Sequence, residues 1–292
     1  MPSDDLGRYL MEGESAVIVG PGGARVIPAS QLVPSTFSRM ESGKIAFDQR
    51  FRGEQLLAAA IRSIEDTVSP RVVFVHDGER SVLKPGRPNT DVSGVASMFR
   101  AGRVEVQEWQ PHIDATPPAW EGGPSAWVVL PPTHRGGLQM ESSETALLQA
   151  TRRLLASGQG VMLNLFPSTG PKIGQVDPWA KLASELGMKA ASGTVLLRDT
   201  ATPGQKQSPE AVVELAEFPV DHPVAAALHG QSLLLPLAIP MMATHDDAIV
   251  LGSVEPSNDL WIEDDWRALV SADRRLRRHM PTFDAEAVLI EP

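Results

Sequence analysis

Short apolar runs alternate with amphipathic segments through the middle of the chain. Residues 71–76 form a valine-rich run that stops at the polar turn Asp77-Gly78-Glu79. Further runs follow at residues 126–130, 160–166 and 194–198. Their β-branched and aromatic content, without internal turn residues, predicts strands that are covered on both faces.

Helical periodicity fills the intervals between these strands. It predicts helices over residues 55–65, 90–101 and 144–157, with Ser143 as the cap of the third. A fourth helix starts at Asp177-Pro178, where a capping side chain precedes a proline at the first helical position, and ends at Gly187. The residues expected to face inward in the first three helices are Leu56, Leu57, Ala60, Ile61, Ile64, Val92, Val95, Ala96, Phe99, Leu147, Leu148, Leu154 and Leu155.

The order of these elements predicts an α/β fold with a doubly wound, mainly parallel, flavodoxin-like sheet. Residues 103–108 alternate and predict a strand near a sheet edge, and residues 110–124 read as a loop. Trp109 and Trp120 are expected outside the strands, where they could line a binding surface. We expect an N-terminal β-hairpin segment over residues 1–44 and one α/β domain over 45–292. Strand candidates at 212–215, 232–237 and 248–251 predict a β-rich extension from about residue 210.

Composition and charge exclude several classes of function. The chain has 292 residues and no cysteine, which removes thiolate nucleophiles and Cys-ligated metals. Its formal net charge of −10 argues against nucleic acid as a partner. Gly20-x-Gly22 lacks the rest of a dinucleotide fingerprint, and no metal-ligand spacing is present, so we expect no cofactor. No apolar run is long enough to span a membrane, and the N-terminus lacks the features of a signal peptide.

The candidate site follows from the expected sheet. Ligands of open α/β sheets bind outside the carboxyl ends of the strands. Three polar loops, which contain residues 76–79, 133–135 and 164, are therefore candidates for contact with a ligand. Arg135 would be an anion anchor and His76 or Glu79 an acid or base. Solvated turns are the alternative for each of these groups. The candidate residues are His76, Asp77, Glu79, Thr133, His134, Arg135 and Asn164.

Several short motifs, in order, resemble the soluble domain of GldG-like auxiliary components of ABC-type transport systems. They begin with Phe51-Arg52-Gly53-Glu54-Gln55 before an alanine-rich helix, and with the strand ending at His76-Asp77-Gly78-Glu79. The later ones are Leu130-Pro131-Pro132, Gly158, Asp177-Pro178-Trp179, Asp221-His222-Pro223 and Trp261. The resemblance covers residues 45–290. Val75 stands where the family has glycine, and His76-Asp77 replaces His-Gly.

The resemblance implies a fold similar to class I glutamine amidotransferases without their catalysis. We therefore expect a non-catalytic module whose partners are the membrane or ATPase subunits of an ABC transporter, together with a possible small ligand. The alternatives are a hydrolase or transferase using His76, Glu79 and His134, and a structural subunit that presents an oligomer interface. We expect the extracytoplasmic face of the membrane if the chain is excised from an anchored protein, and the cytoplasm otherwise.

Overall fold

A computed structural model gives the architecture of the chain. The structure describes residues 15–20, 23–32, 35–39, 45–49, 53–65, 69–84, 92–132, 141–168, 176–199, 209–215, 218, 221–228, 232–246, 248–254, 257–266 and 290–291. The segments predicted for residues 110–124 and 160–166 lie within these ranges. The loop of Thr133, His134 and Arg135 lies outside them.

The described strands fall into an N-terminal group, a central group and a C-terminal group. The N-terminal group is β1 Ser15–Gly20, β2 Gly23–Pro28, β3 Ser35–Arg39 and β4 Ile45–Gln49. The central group is β5 Arg71–Val75, β6 Glu105–Trp109, β7 Ser125–Val129 and β8 Gly160–Leu163. The C-terminal group is β9 Met188–Ala190, β10 Val195–Asp199, β11 Pro209–Glu210, β12 Val212–Leu215, β13 Leu233–Pro236, β14 Met241–Ala243, β15 Ile249–Val250, β16 Leu260–Glu263 and β17 Ile290–Glu291.

Six helices are described. They are α1 Ala29–Leu32, α2 Gly53–Glu65, α3 Ser93–Ala101, α4 Ser142–Ala156, α5 Pro178–Glu185 and α6 Pro223–Leu228. Among the described residues, no helix combines the length and the apolar character needed to cross a bilayer.

A four-stranded parallel sheet in the order β6-β5-β7-β8 confirms the predicted α/β character. All five residues of β5 are buried, as its continuous apolar sequence predicts. β6 lies at the edge, as its alternating pattern predicts. Trp109 corrects the prediction of a loop tryptophan, because it is the last residue of β6 and its side chain is buried.

Five of the thirteen helix residues expected to face inward are buried, and six more are partly buried. Ala60, Ile64 and Ala96 are buried, and so are Leu147 and Leu154. Three apolar residues expected to be covered are instead exposed: Ile61 on α2, Val95 on α3 and Met162 on β8. The periodicity predicts which side of a helix faces the core. How many residues on that side are buried depends on the elements that pack against the helix.

Helix starts show one success and one error. The Asp177 side chain accepts a hydrogen bond from the Trp179 backbone N–H at 3.0 Å, and Pro178 occupies the first turn of α5, as predicted. Ser143 is not a cap. Helix α4 begins at Ser142, two residues before its predicted first residue, and its N-cap position is Glu141, which makes no side-chain capping bond.

Arg71 at the amino end of β5 is buried and makes several polar contacts. Its guanidinium lies over the Trp120 ring, 5.2 Å from the centroid. Burial lowers the pKa of Arg71 because desolvation disfavours the charged form. The oxygens that accept its hydrogen bonds, at 2.9–3.3 Å, are Gln107 Oε1, Pro118 O, Ala119 O and Ser125 Oγ.

The C-terminal strands pair antiparallel in separate small sheets. The prediction that residues 194–198 continue the parallel sheet is wrong, because β10 pairs with β11 and β16 in a three-stranded antiparallel sheet. The remaining described pairs in this region are β12 with β13, β14 with β9 and β15 with β17. A core of residues including Leu196, Val213 and Leu260 packs between the strands and α6.

The chain divides into two compact units. The first comprises residues 1–74, 79–109 and 117–126, and the second comprises 75–78, 110–116 and 127–292. In the first unit, β1 pairs antiparallel with β2, Ser15 opposite Pro28. A side chain at Gly20 would meet the Ile64 side chain of α2 at 2.2 Å, so glycine permits the close approach of strand and helix.

Candidate functional site

The carboxyl end of β5 continues directly into two buried polar residues of the second unit. His76 is 2% exposed and Asp77 is 5% exposed. Burying an imidazole and a carboxyl group is unfavourable unless interactions within the protein compensate for the lost hydration, and both residues do interact with other groups of the protein. The structure therefore places two of the predicted site residues inside the protein, at the strand end where the sequence predicts them.

A neighbouring loop is fastened to this strand end. The Gln110 side chain donates a hydrogen bond from Nε2 to the Gly78 carbonyl oxygen. Gln110 directly follows β6, the strand next to β5. This hydrogen bond joins the turn after β5 to the loop after β6.

His112 lies two residues further along the same loop. Its side chain is half-buried, and its Nδ1 atom is shielded from solvent without a hydrogen-bond partner among the described residues. The next residue, Ile113, is 66% exposed. This loop therefore offers an imidazole and an exposed apolar side chain beside the tethered turn.

Asn164 lies at the carboxyl end of β8, as predicted, and fastens this strand to β7. Its backbone N–H and its side-chain Nδ2 both donate to the Val129 carbonyl oxygen, at 3.2 and 3.1 Å. Leu130 in turn donates its backbone N–H to Val75 O at 2.9 Å. The Asn164 side chain thus holds the strand ends together, and its carbonyl oxygen and second Nδ2–H are left to contact a ligand.

The remaining predicted site residues are Glu79, Thr133, His134 and Arg135. Glu79 is exposed to solvent. Thr133, His134 and Arg135 lie outside the described residues, so the anion anchor expected at Arg135 stays a prediction. Within the described ranges, no three His, Asp or Glu side chains are grouped closely enough to hold a metal ion.

Gln110 and His112 were missed when the sequence alone was considered. The rule that selects loops at the carboxyl ends of strands applies to β6 as much as to β5. The strand at residues 103–108 and the loop at residues 110–124 are both predicted from the sequence, but the rule was not applied to this loop. The alternation of residues 103–108 was the signal that could have found them.

Comparisons with protein-family models, with curated proteins and with solved structures found no match for this chain.

Proposed function

We propose that this chain is a non-catalytic binding module, accessory to an ABC-type transporter, that contacts a partner or a small ligand at the carboxyl edge of its parallel sheet. The observation that carries the proposal is the tethered turn after β5. His76 and Asp77 are buried there, and Gln110 holds the Gly78 carbonyl from the adjacent loop. Buried polar groups on a fixed strand end give a binding surface a defined geometry.

The strand order supports a doubly wound, flavodoxin-like arrangement of the sheet, which we also propose. In the order β6-β5-β7-β8, the first strand of the series lies inside the sheet and the second lies at its edge. A doubly wound, flavodoxin-like fold begins in this way, and its ligands bind where the strand order reverses. The turn of His76 and the loop of His112 follow the two strands on one side of that reversal.

The link to transport rests on the resemblance to GldG-like proteins. On that ground, we propose the membrane or ATPase subunits of the transporter as partners. The extracytoplasmic face is the proposed location if the chain belongs to an anchored protein, and the cytoplasm is proposed otherwise. The His76 imidazole is 2% exposed, so a substrate proton does not reach it unless its surroundings move, and we propose that it supports the shape of the turn.

Site-specific photo-crosslinking in the native host tests the proposal. A photoreactive amino acid at Ile113, which is exposed beside the tethered turn, is compared with one at Val224, an exposed apolar residue of α6. We expect crosslinks to transporter subunits from position 113 and several-fold fewer from position 224. Gln110→Ala should weaken the crosslink from position 113, because it releases the loop from Gly78.

Two results would contradict the proposal. Equal crosslinking from positions 113 and 224 would mean that the carboxyl edge is not the contact surface. Crosslinks from position 113 that never contain a transporter subunit would remove the transport assignment and leave only the binding surface.

A further inference from the structure

A second group of polar atoms lies on the antiparallel sheet of β10 and β16. Val195 lies opposite Glu263, and Leu197 lies opposite Trp261. Residues directly opposite each other, and residues two apart along a strand, share one face of a sheet. These four residues therefore share a face, and Trp266 packs against it. We call this set the Trp–Glu face.

Glu263 is an unusual occupant of this face. Its side chain is 0% exposed and its neighbours across and along the sheet are apolar. Oε1 accepts a hydrogen bond from the Asp265 backbone N–H at 2.9 Å. Oε2 is buried and has no hydrogen-bond partner among the residues that the structure describes.

Trp266 presents the complementary group. Its side chain is 4% exposed, and its Nε1–H is buried without a hydrogen-bond partner in the described part of the chain. A buried acceptor and a buried donor each lose their hydration without a replacement, which is unfavourable for folding. The bond from the Asp265 N–H accounts for Glu263 Oε1, but it leaves Oε2 and the Trp266 Nε1–H without a role in the described structure.

We propose that the Trp–Glu face binds a small protonated amine that carries a neighbouring oxygen acceptor, such as an amino alcohol. The ammonium group would donate to Glu263 Oε2, and the oxygen would accept from Trp266 Nε1. Asp264 and Asp265, both exposed and adjacent in sequence, add negative potential that attracts such a ligand.

Burial has two consequences for this site. A charge-assisted hydrogen bond is stronger away from solvent, which favours the amine once it is bound. Access requires local opening of the face, so the ligand should exchange slowly. The site belongs to a different sheet from the carboxyl edge of β5, and the two proposals can fail separately.

Titration of the full chain with ethanolamine, followed through the tryptophan indole N–H signals in ¹⁵N NMR spectra, tests the inference. Trp266→Phe assigns the signal of Trp266 among the six tryptophans. We expect that signal to change to a saturable bound form with a Kd in the range of about 1 mM, as suits so small a ligand. n-Propylamine, which lacks the oxygen, should bind more weakly.

Glu263→Gln provides the matched variant, because it keeps the shape of the side chain and removes its charge. We expect at least a tenfold loss of affinity for ethanolamine, roughly the worth of one charge-assisted hydrogen bond. Three results would overturn the inference. These are an unchanged Trp266 signal at saturating ethanolamine, equal affinity for n-propylamine, and a Trp266 N–H that contacts only a bound water. If Glu263→Gln does not fold, the affinities of the unsubstituted chain for ethanolamine and for n-propylamine still test the inference.

Discussion

The indole Nε1–H of Trp179 donates a hydrogen bond to Glu144 Oε1 at 2.9 Å, and both side chains are buried. Trp179 lies in the first turn of α5, and Glu144 lies in the first turn of α4. The bond therefore joins the amino-terminal ends of two helices of the second unit. It gives the buried carboxyl group a donor that it could not obtain from solvent.

Trp179→Phe should lower the free energy of unfolding by about 2–4 kcal/mol, because it removes this donor and part of a buried side chain. Urea denaturation followed by circular dichroism measures the loss. Glu144→Gln keeps an acceptor of the same shape and should cost about 1 kcal/mol. A double variant whose loss equals the sum of the single losses would show that the two side chains do not interact.

Arg71 holds the loop before β7 through two carbonyl oxygens, of Pro118 and Ala119, and through the ring of Trp120. Arg71→Met should lower the free energy of unfolding by about 2–4 kcal/mol, because the carbonyl oxygens of Pro118 and Ala119 lose a charged donor. Arg71→Lys keeps the charge and loses the planar fork, so an intermediate value is expected. Urea denaturation again measures the change. A loss for lysine equal to that for methionine would mean that charge contributes little.

Two glycines with positive φ provide a matched pair of substitutions. At Gly158, φ is +70° and an added Cβ would meet nothing within 4 Å. Gly158→Ala should therefore cost about 1 kcal/mol, the strain of a left-handed residue. At Gly187, φ is +80° and the added Cβ would lie 2.6 Å from His245 Cβ, so Gly187→Ala should cost about 3 kcal/mol or more.

The difference between the two glycine variants should appear in thermal unfolding as a clearly lower Tm for the Gly187 variant. His245→Gly removes the clashing Cβ and should recover part of the loss in the Gly187→Ala background. Equal Tm values for the two single variants would show that the contact with His245 relaxes without effect.

Asp259 predicts a dependence of stability on pH. The Ser257 hydroxyl donates to its carboxylate, with a smaller effect from Arg198 at 3.5 Å, and this lowers the pKa of Asp259. A lowered carboxyl pKa adds stability above the usual value of 3.8, and this contribution is lost as the pH falls through the folded-state pKa. Ser257→Ala should reduce the fall in Tm below that pH. Parallel Tm profiles for the two proteins would remove Ser257 as the cause.

The sequence predicts local structure well where a short pattern of residues favours a single local structure. Asp177-Pro178 specifies a helix start, and the continuous valines of β5 specify a buried strand. Pairing is harder to predict. The apolar run of β10 suits a parallel or an antiparallel neighbour, and its partner β16 lies some sixty residues later in the chain. The same contrast between local structure and strand pairing holds for the candidate site. The turn after β5 is predicted from local sequence, whereas the bond from Gln110 to Gly78 depends on which strands are neighbours.

The loop between β6 and β7 is anchored near both ends, by Gln110 to Gly78 and by the contacts of Arg71 with Pro118 and Ala119. Between the anchors, Ala115 and Thr116 are exposed, and the Thr116 N–H donates to the nearby Asp114 side chain. A peptide tag or a fluorophore attached there should leave the anchors undisturbed. The molecule thus supplies its own attachment point for a reporter, a few residues from the surface that we propose its partner recognises.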